Sequence, residues 1–332
     1  MIRVAINGFG RIGRRCFRLI HQHPDIDVVA INDLADAKTL SHLLKYDSIH
    51  GIFNESVSFS DNHIIVNDSY IPLLNSKHPK DLDWGPYNVD FVIESTGKFK
   101  TSEQLQFHIK NGAGKVILSV PPEDDSIKTI VLGVNDSILD GTETIVSNAS
   151  CTTNNAAPMI AIIKALCGID QAYITTIHSY TTDQSLHDQP HRDLRRARAA
   201  GQSIVPTTTG AAKALTKIFP ELSDVIGGCG IRVPVANGSL TDITFNVKRN
   251  VTIQEVNNAF KKAAEGDFKN ILEYTEDPIV SIDIVGNSHS CVFDAQMTSV
   301  IGNMVKIIGW YDNETGYSNR ILDLICYLSE KR

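Results

Sequence analysis

Cys151 stands in the run Ser147-Asn148-Ala149-Ser150-Cys151-Thr152-Thr153-Asn154, where a strand-like segment gives way to a helix-like one. A helix N-terminus favours thiolate and lowers a thiol pKa. Its free N–H groups can also hold an oxyanion. The placement predicts a nucleophile. A plainer reading, in which Ser150 or Thr152 caps the helix, is compatible with that role. The other five cysteines, Cys16, Cys167, Cys229, Cys291 and Cys326, read as inert buried side chains. A thiol nucleophile needs a base. Of the eleven histidines, His178 is the candidate, because it ends the strand-like run 173–177 and α/β sites place catalytic groups at strand ends. Sequence alone does not show that it faces Cys151.

The second group is Gly8-Phe9-Gly10-Arg11-Ile12-Gly13, which fits G-x-G-x-x-G. Alone such a run is more often a turn. Here it follows a strand-like segment and opens a helix-like one, the context that dinucleotide binding requires. The glycines permit a tight turn and close backbone approach, and the helix N-terminus attracts pyrophosphate. Asp33 lies 20 positions after Gly13, at the end of the next strand-like run. A carboxylate there accepts hydrogen bonds from a ribose and repels a 2′-phosphate, which favours NAD over NADP. Otherwise Asp33 caps a following helix. A dinucleotide site and an activated thiol in one chain point to one reaction type. The thiolate adds to an aldehyde, the thiohemiacetal gives up hydride to a nicotinamide, and a second nucleophile resolves the thioester.

These groups need elements to hold them. The chain has 332 residues, more than one core readily serves, since cores stop growing at about 250–300 residues. The first half alternates short apolar runs at 2–7, 28–31, 91–93, 116–118, 130–134 and 144–146 with helix-like or turn segments, among them 14–21. That pattern predicts a parallel sheet covered on both faces. After Ser150 it changes. Residues 152–166 read as a helix, with Pro158 moving the expected start toward residue 156. Residues 179–208 have no periodicity and cluster Arg192, Arg195, Arg196 and Arg198; long irregular segments in compact domains are usually functional. A helix is expected at 210–219, strands at 239–248, 279–285 and 304–310, and a final helix at 319–328. The fold class is α/β. A Rossmann-type dinucleotide-binding domain is expected over 1–150, and an α+β catalytic domain with a mostly antiparallel sheet over 151–315. A C-terminal helical segment, 316–332, is expected to return to the first domain.

Lys+Arg total 31 against Asp+Glu 38, a net charge of −7, with 42% apolar residues. This excludes a disordered chain and weighs against a general nucleic-acid binder, which needs a basic face. The N-terminus has no signal-peptide pattern, and no apolar run approaches the roughly 18 residues of a membrane helix. The scattered cysteines suit a reduced, cytoplasmic compartment. No cysteine pair has zinc-site spacing, so no metal is expected.

Longer motifs carry a resemblance. Ile6-Asn7-Gly8-Phe9-Gly10-Arg11-Ile12-Gly13-Arg14, Ala149-Ser150-Cys151-Thr152-Thr153-Asn154, Thr208-Thr209-Gly210-Ala211-Ala212-Lys213 and the run 310–320 closely resemble the phosphorylating glyceraldehyde-3-phosphate dehydrogenase family. Residues 43–48 and 194–200 match its bacterial and plastid branch, and the resemblance covers essentially the whole chain. It implies a homotetramer with NAD on the first domain, Cys151 as nucleophile and His178 as its activator. By motif match, Gly8, Gly10, Arg11, Ile12 and Asp33 would hold the dinucleotide. Lys77 would lie on the adenine side and Ser119 on the nicotinamide side, with Asn313 on the carboxamide. The phosphate of a phosphorylated aldehyde would lie near Thr181, Arg196 and Arg232. Inorganic phosphate would lie near Ser150, Thr152, Thr209 and Gly210. Arginine forks and hydroxyls suit both anions.

The chain departs from the family pattern at Asn155, where a second cysteine is usual. The segment 185–190 is more polar than is common beside the cofactor ribose, although Pro190 is typical of NAD-specific members. The expected activity is oxidation and phosphorylation of glyceraldehyde 3-phosphate. Erythrose-4-phosphate dehydrogenase is the nearest alternative, with Thr209-Gly210-Ala211-Ala212 favouring phosphorolysis. A nucleotide-binding regulatory or RNA-binding protein is the alternative from another class.

Overall fold

The computed structural model describes residues 1 to 331. The chain divides into two compact units. The first comprises Met1–Ile130, Ser137–Ala149 and the stretch from Ser318 on; the second comprises Val131–Asp136 and Ser150–Tyr317.

The first unit is built on a nine-stranded sheet among the described residues. Ile2–Asn7 lies inside it, with Ile26–Asn32 on one side and Phe91–Glu94 on the other, all parallel. Lys115–Leu118, Ile145–Ser147 and Lys128–Thr129 continue beyond Phe91–Glu94, also parallel. Beyond Ile26–Asn32 the sheet adds Ser69–Leu74 in parallel, then His63–Val66 and Val57–Ser60 in antiparallel pairing. Chain order therefore reverses at Ile2–Asn7. Open α/β sheets bind ligands at such a switch point, outside the carboxyl ends of the strands. Trp84, Val92, Leu105, Val116 and Leu118 form a buried cluster in this unit.

Two local expectations fail here. The first helix spans Arg11–Ile20 and so begins three residues before the apolar periodicity does. Residues 130–134 are not a strand. The Asn135 side chain accepts from Val131 N at 2.8 Å and the Asp136 carboxylate from Gly133 N at 2.7 Å. These side-chain acceptors divert N–H groups that a ladder would use.

The second unit holds an eight-stranded main sheet in the order Val205–Thr207, Ile226–Val233, Ile169–Ser179, Ser239–Val247, Met304–Tyr311, Cys291–Asp294, Leu272–Thr275, among the described residues; Ser299–Ile301 pairs beside Met304–Tyr311. Most pairings are antiparallel. Ile169–Ser179 with Ile226–Val233 and Leu272–Thr275 with Cys291–Asp294 are the parallel ones. The helix Cys151–Cys167 packs on the sheet and against Ala211–Ile218 and Ile253–Glu265.

Pro158 does not shift the start of its helix to residue 156. The helix begins at Cys151, with Pro158 inside it. Ser150 provides the reason: its hydroxyl accepts from Thr153 N at 3.1 Å and fixes the first turn. Nor are residues 279–285 a strand. The Asp283 carboxylate accepts from Val280 N at 2.8 Å and holds Ser281–Ile284 in a 3-10 turn. The helix Ile253–Glu265 was not anticipated, although Thr252 and Glu255 form a capping box at its start.

Candidate active site

Strand Ile169–Ser179 carries His178 to its carboxyl end, and the helix start carries Cys151. The two meet: Cys151 Sγ lies 3.5 Å from His178 Nε2. His178 Nδ1 has two neighbours, the Ser179 carbonyl oxygen at 2.7 Å and Arg232 Nη1 at 2.7 Å. Arg232 Nη1 also donates to that carbonyl at 2.8 Å. The Tyr311 ring packs edge-on against the imidazole, and the Tyr311 hydroxyl bonds to Thr152 and Thr176, each at 2.9 Å.

Burial pushes the Cys151 thiol up, against the pull of the Arg232 charge and the Thr152 N–H. This corrects the expectation of a simply lowered thiol: the helix start acts in the expected direction, but desolvation is the larger effect. Burial, with the charges of Arg232 and Arg196, holds His178 down at about 3. Cys16, Cys167 and Cys291 are buried as expected, whereas Cys229 and Cys326 are partly exposed.

Other expected residues divide by what their side chains already do. The Ser150 hydroxyl is the helix cap and touches Thr153 Oγ1 at 2.8 Å. The Thr152 hydroxyl bonds to Tyr311. Arg196 pairs with Asp183, donates to Thr207 Oγ1 at 3.0 Å and reaches the Thr208 carbonyl at 3.3 Å. Thr181 N donates to Gln184 at 3.3 Å. Thr209 Oγ1 accepts from Ala211 N at 3.2 Å, and Gly210 opens the helix Ala211–Ile218 with no side-chain cap. Asn313 is buried, its Oδ1 accepting from Ser179 and Ser239. Asn155, one turn along the helix from Cys151, donates through Nδ2 to the carbonyls of Ser290 at 3.3 Å and Trp310 at 3.2 Å.

In the first unit, a cleft of ≈ 300 Å³ opens at the switch point. Gly8, Gly10, Asp33 and Lys77 line it, together with Asn32 and Thr96. Gly8 has φ +95°, and a Cβ there would lie 2.7 Å from Thr96 N. A Cβ on Gly13 would lie 2.2 Å from the Gly8 carbonyl oxygen. By contrast, a Cβ on Gly10 would meet nothing within 4 Å, so its open side is free for a ligand. Gly10 supplies no side-chain cap to Arg11–Ile20, which suits an anion at the helix start. The cradle thus fits a dinucleotide.

Asp33 does more than line the cleft. Its carboxylate accepts from Phe9 N at 2.7 Å and Ala35 N at 3.0 Å, tying the glycine loop to the next strand. The Arg11 guanidinium turns to Asp47, at 2.8 and 3.2 Å. Ile12 and Ser119 are not among the cleft's lining residues.

Sequence reasoning missed the supports. Behind the cleft, buried Glu94 accepts from Asn7 at 2.5 Å and meets His108 Nε2 at 3.1 Å. Trp84 Nε1 donates to His108 Nδ1 at 3.0 Å, which leaves the His108 proton on Nε2, facing Glu94. Ser179, Ser239 and Tyr311 were missed as well. Buried polar side chains in apolar runs were the available signal.

A Rossmann-type unit with a dinucleotide cradle, and a unit with a paired thiol and imidazole, define the class: a nucleotide-dependent oxidoreductase. Residues 2–102 match the family description "Glyceraldehyde 3-phosphate dehydrogenase, NAD binding domain", and residues 150–313 match its "C-terminal domain". The chain is similar to glyceraldehyde-3-phosphate dehydrogenase 1 of Bacillus cereus, 50% identical over 333 residues, covering 100% of this chain and 99% of the relative. It is 52% identical to glyceraldehyde-3-phosphate dehydrogenase 2 of Streptomyces avermitilis, covering 99% of each. With glyceraldehyde-3-phosphate dehydrogenase of Geobacillus stearothermophilus it shares 50% identity over 332 residues, again covering 99% of each. The chain belongs to the glyceraldehyde-3-phosphate dehydrogenase family.

Proposed function

We propose that the chain oxidises D-glyceraldehyde 3-phosphate and phosphorylates the product to 1,3-bisphosphoglycerate, with Cys151 as nucleophile and His178 as its acid–base partner. The observation that carries the assignment is the 3.5 Å approach of Cys151 Sγ to His178 Nε2. As Sγ bonds to the aldehyde carbon, its proton passes to Nε2 and from there to the carbonyl oxygen, which becomes the thiohemiacetal hydroxyl. The helix-start N–H groups steady the oxygen while it carries charge. Bound NAD supplies the two-electron acceptor for the oxidation. His178 takes the hydroxyl proton as the thioester forms. A phosphate oxygen then attacks the acyl carbon, and the C–S bond breaks to return Sγ.

Arg196, Arg232 and Thr181 serve the substrate phosphate, and Thr209 and Gly210, with the Ser150 region, serve inorganic phosphate. Gly8, Gly10, Asp33 and Lys77 hold the dinucleotide, and Asn313 meets its carboxamide. A homotetramer in the cytoplasm completes the reading. The exposed Tyr173 on the second sheet supports burial against another copy, and free thiols suit a reducing compartment. Among the described residues no helix is long and apolar enough to cross a membrane.

The test is a steady-state assay with NAD or NADP, triose or tetrose phosphate, and phosphate present or absent. Phosphate-dependent NADH formation with the triose is expected. No activity from folded, reduced protein overturns the proposal.

A further inference from the structure

Three strand ends meet at Asn313. Ile169–Ser179 finishes with Ser179, Ser239–Val247 starts with Ser239, and Asn313 follows Met304–Tyr311 by two residues. These strands are neighbours in the sheet. Ser179 Oγ donates to Asn313 Oδ1 at 2.8 Å, and Ser239 Oγ donates to the same oxygen at 3.1 Å. Ser179 N donates in turn to Ser239 Oγ at 3.1 Å. Both serines are essentially fully buried, at 0% and 1% exposure.

A hydroxyl has one proton to donate. Here the Ser179 proton goes to the amide oxygen, and the Ser239 proton has that oxygen at 3.1 Å and Ser179 Oγ at 3.4 Å. The Ser239 oxygen already accepts a backbone N–H, so without the amide oxygen one of the two protons has no acceptor. Turning the amide over would point its NH2 at these serines and leave a buried hydroxyl proton short of an acceptor, which is costly. The pair therefore fixes which end of Asn313 faces outward.

We propose that Ser179 and Ser239 are positioning residues that clamp Asn313 so that it offers its NH2 group alone, selecting a cofactor through a carbonyl oxygen. This rests on the reading of Asn313 as the carboxamide contact. The clamp makes the carboxamide nitrogen dispensable to Asn313, because the amide oxygen that could receive it is held inside. Ser179 also contributes its carbonyl to His178 and Arg232, so one residue orders both the base and the cofactor contact.

The test is equilibrium binding by calorimetry, with NAD and with its 3-acetylpyridine analogue, a methyl ketone that keeps the carbonyl oxygen and lacks the NH2. In the double variant S179A/S239A the amide is free to turn. Its oxygen can then meet the carboxamide NH2 but repels a ketone. The variant should lose affinity for the analogue about threefold more than for NAD, a hydrogen-bond-sized effect. An unchanged analogue-to-NAD ratio in folded protein overturns the clamp. Ser239→Thr keeps a hydroxyl and should keep the wild-type ratio. If the double variant does not fold, Ser239→Ala alone must move the ratio in the same direction, and an unmoved ratio there also overturns the clamp. Asn313→Ala separates the two claims: unchanged NAD affinity removes the carboxamide reading itself, whereas weakened NAD affinity with an unmoved serine ratio removes only the clamp.

Discussion

Arg232 Nη1 stands 2.7 Å from His178 Nδ1, in competition with the Ser179 carbonyl oxygen, also 2.7 Å from that nitrogen. An arginine only donates and a carbonyl only accepts. Toward Arg232, Nδ1 must be bare and Nε2 carries the proton. Toward Ser179, Nδ1 carries it and Nε2 is a free base facing Cys151. The site thus supports the two forms that acid–base work on one thiol alternates between. Replacing His178 by Asn should move the pH profile of Cys151 alkylation by iodoacetamide to higher pH, because the base that takes the thiol proton is gone while burial still raises the thiol against Arg232 and the Thr152 N–H. An unmoved profile would detach His178 from the nucleophile.

Cys151→Ser should lower NADH formation by about 10³-fold or more, a hydroxyl being the weaker nucleophile. The measurement is single-turnover oxidation of the aldehyde by folded variant. Near-wild-type turnover would remove the assigned nucleophile.

His178 also carries a stability signature. Its folded pKa is lowered to about 3 from an ordinary 6.5, so between these values the unfolded chain binds a proton that the folded chain excludes. Stability is therefore lost as pH falls through that window, by up to about 1.4 kcal/mol per pH unit from this group. Denaturant melts of wild type and His178→Asn at pH 7 and pH 5 should converge or cross as the pH drops. Parallel pH dependence would refute the buried neutral imidazole.

The glycines of the cradle should separate by role. Gly8→Ala should cost about 2 kcal/mol or more, since φ is +95° and the new Cβ meets Thr96 N at 2.7 Å. Gly10→Ala should leave the melting temperature nearly unchanged, yet weaken NAD in a binding titration, because its open side belongs to the ligand. Equal losses of stability would contradict the steric account.

Asp183 is the anion already paired with Arg196. If Arg196 serves phosphate, Asp183→Asn should lower the KM for the phosphorylated aldehyde several-fold. A raised KM would show that the pair shapes the site rather than competes for it.

Legibility followed chain distance. Gly8 to Asp33 and Cys151 to His178 could be read because each sits at a junction whose type the local pattern announces. The Asn155 bridge to Ser290 and Trp310, over separations of 135 and 155 residues, left no local trace. The same holds for the serine clamp on Asn313. Where the reading failed outright, at 130–134 and 279–285, apolar residues suggested strands while Asn135, Asp136 and Asp283 captured backbone N–H groups. Periodicity does not see that competition.

The first unit is assembled from both ends of the chain. Its central strand, Ile2–Asn7, is made first, while its closing stretch begins at Ser318. Lys331 Nζ reaches the Leu139 carbonyl at 2.7 Å. On the ribosome, this unit waits for the stretch from Ser318 on to emerge, whereas the segments of the second unit, which end at Tyr317, are all synthesised before that. Folding of the nucleotide-binding half is thereby tied to synthesis of the stretch from Ser318 on, and a chain truncated before Ser318 is left with an unfinished core there.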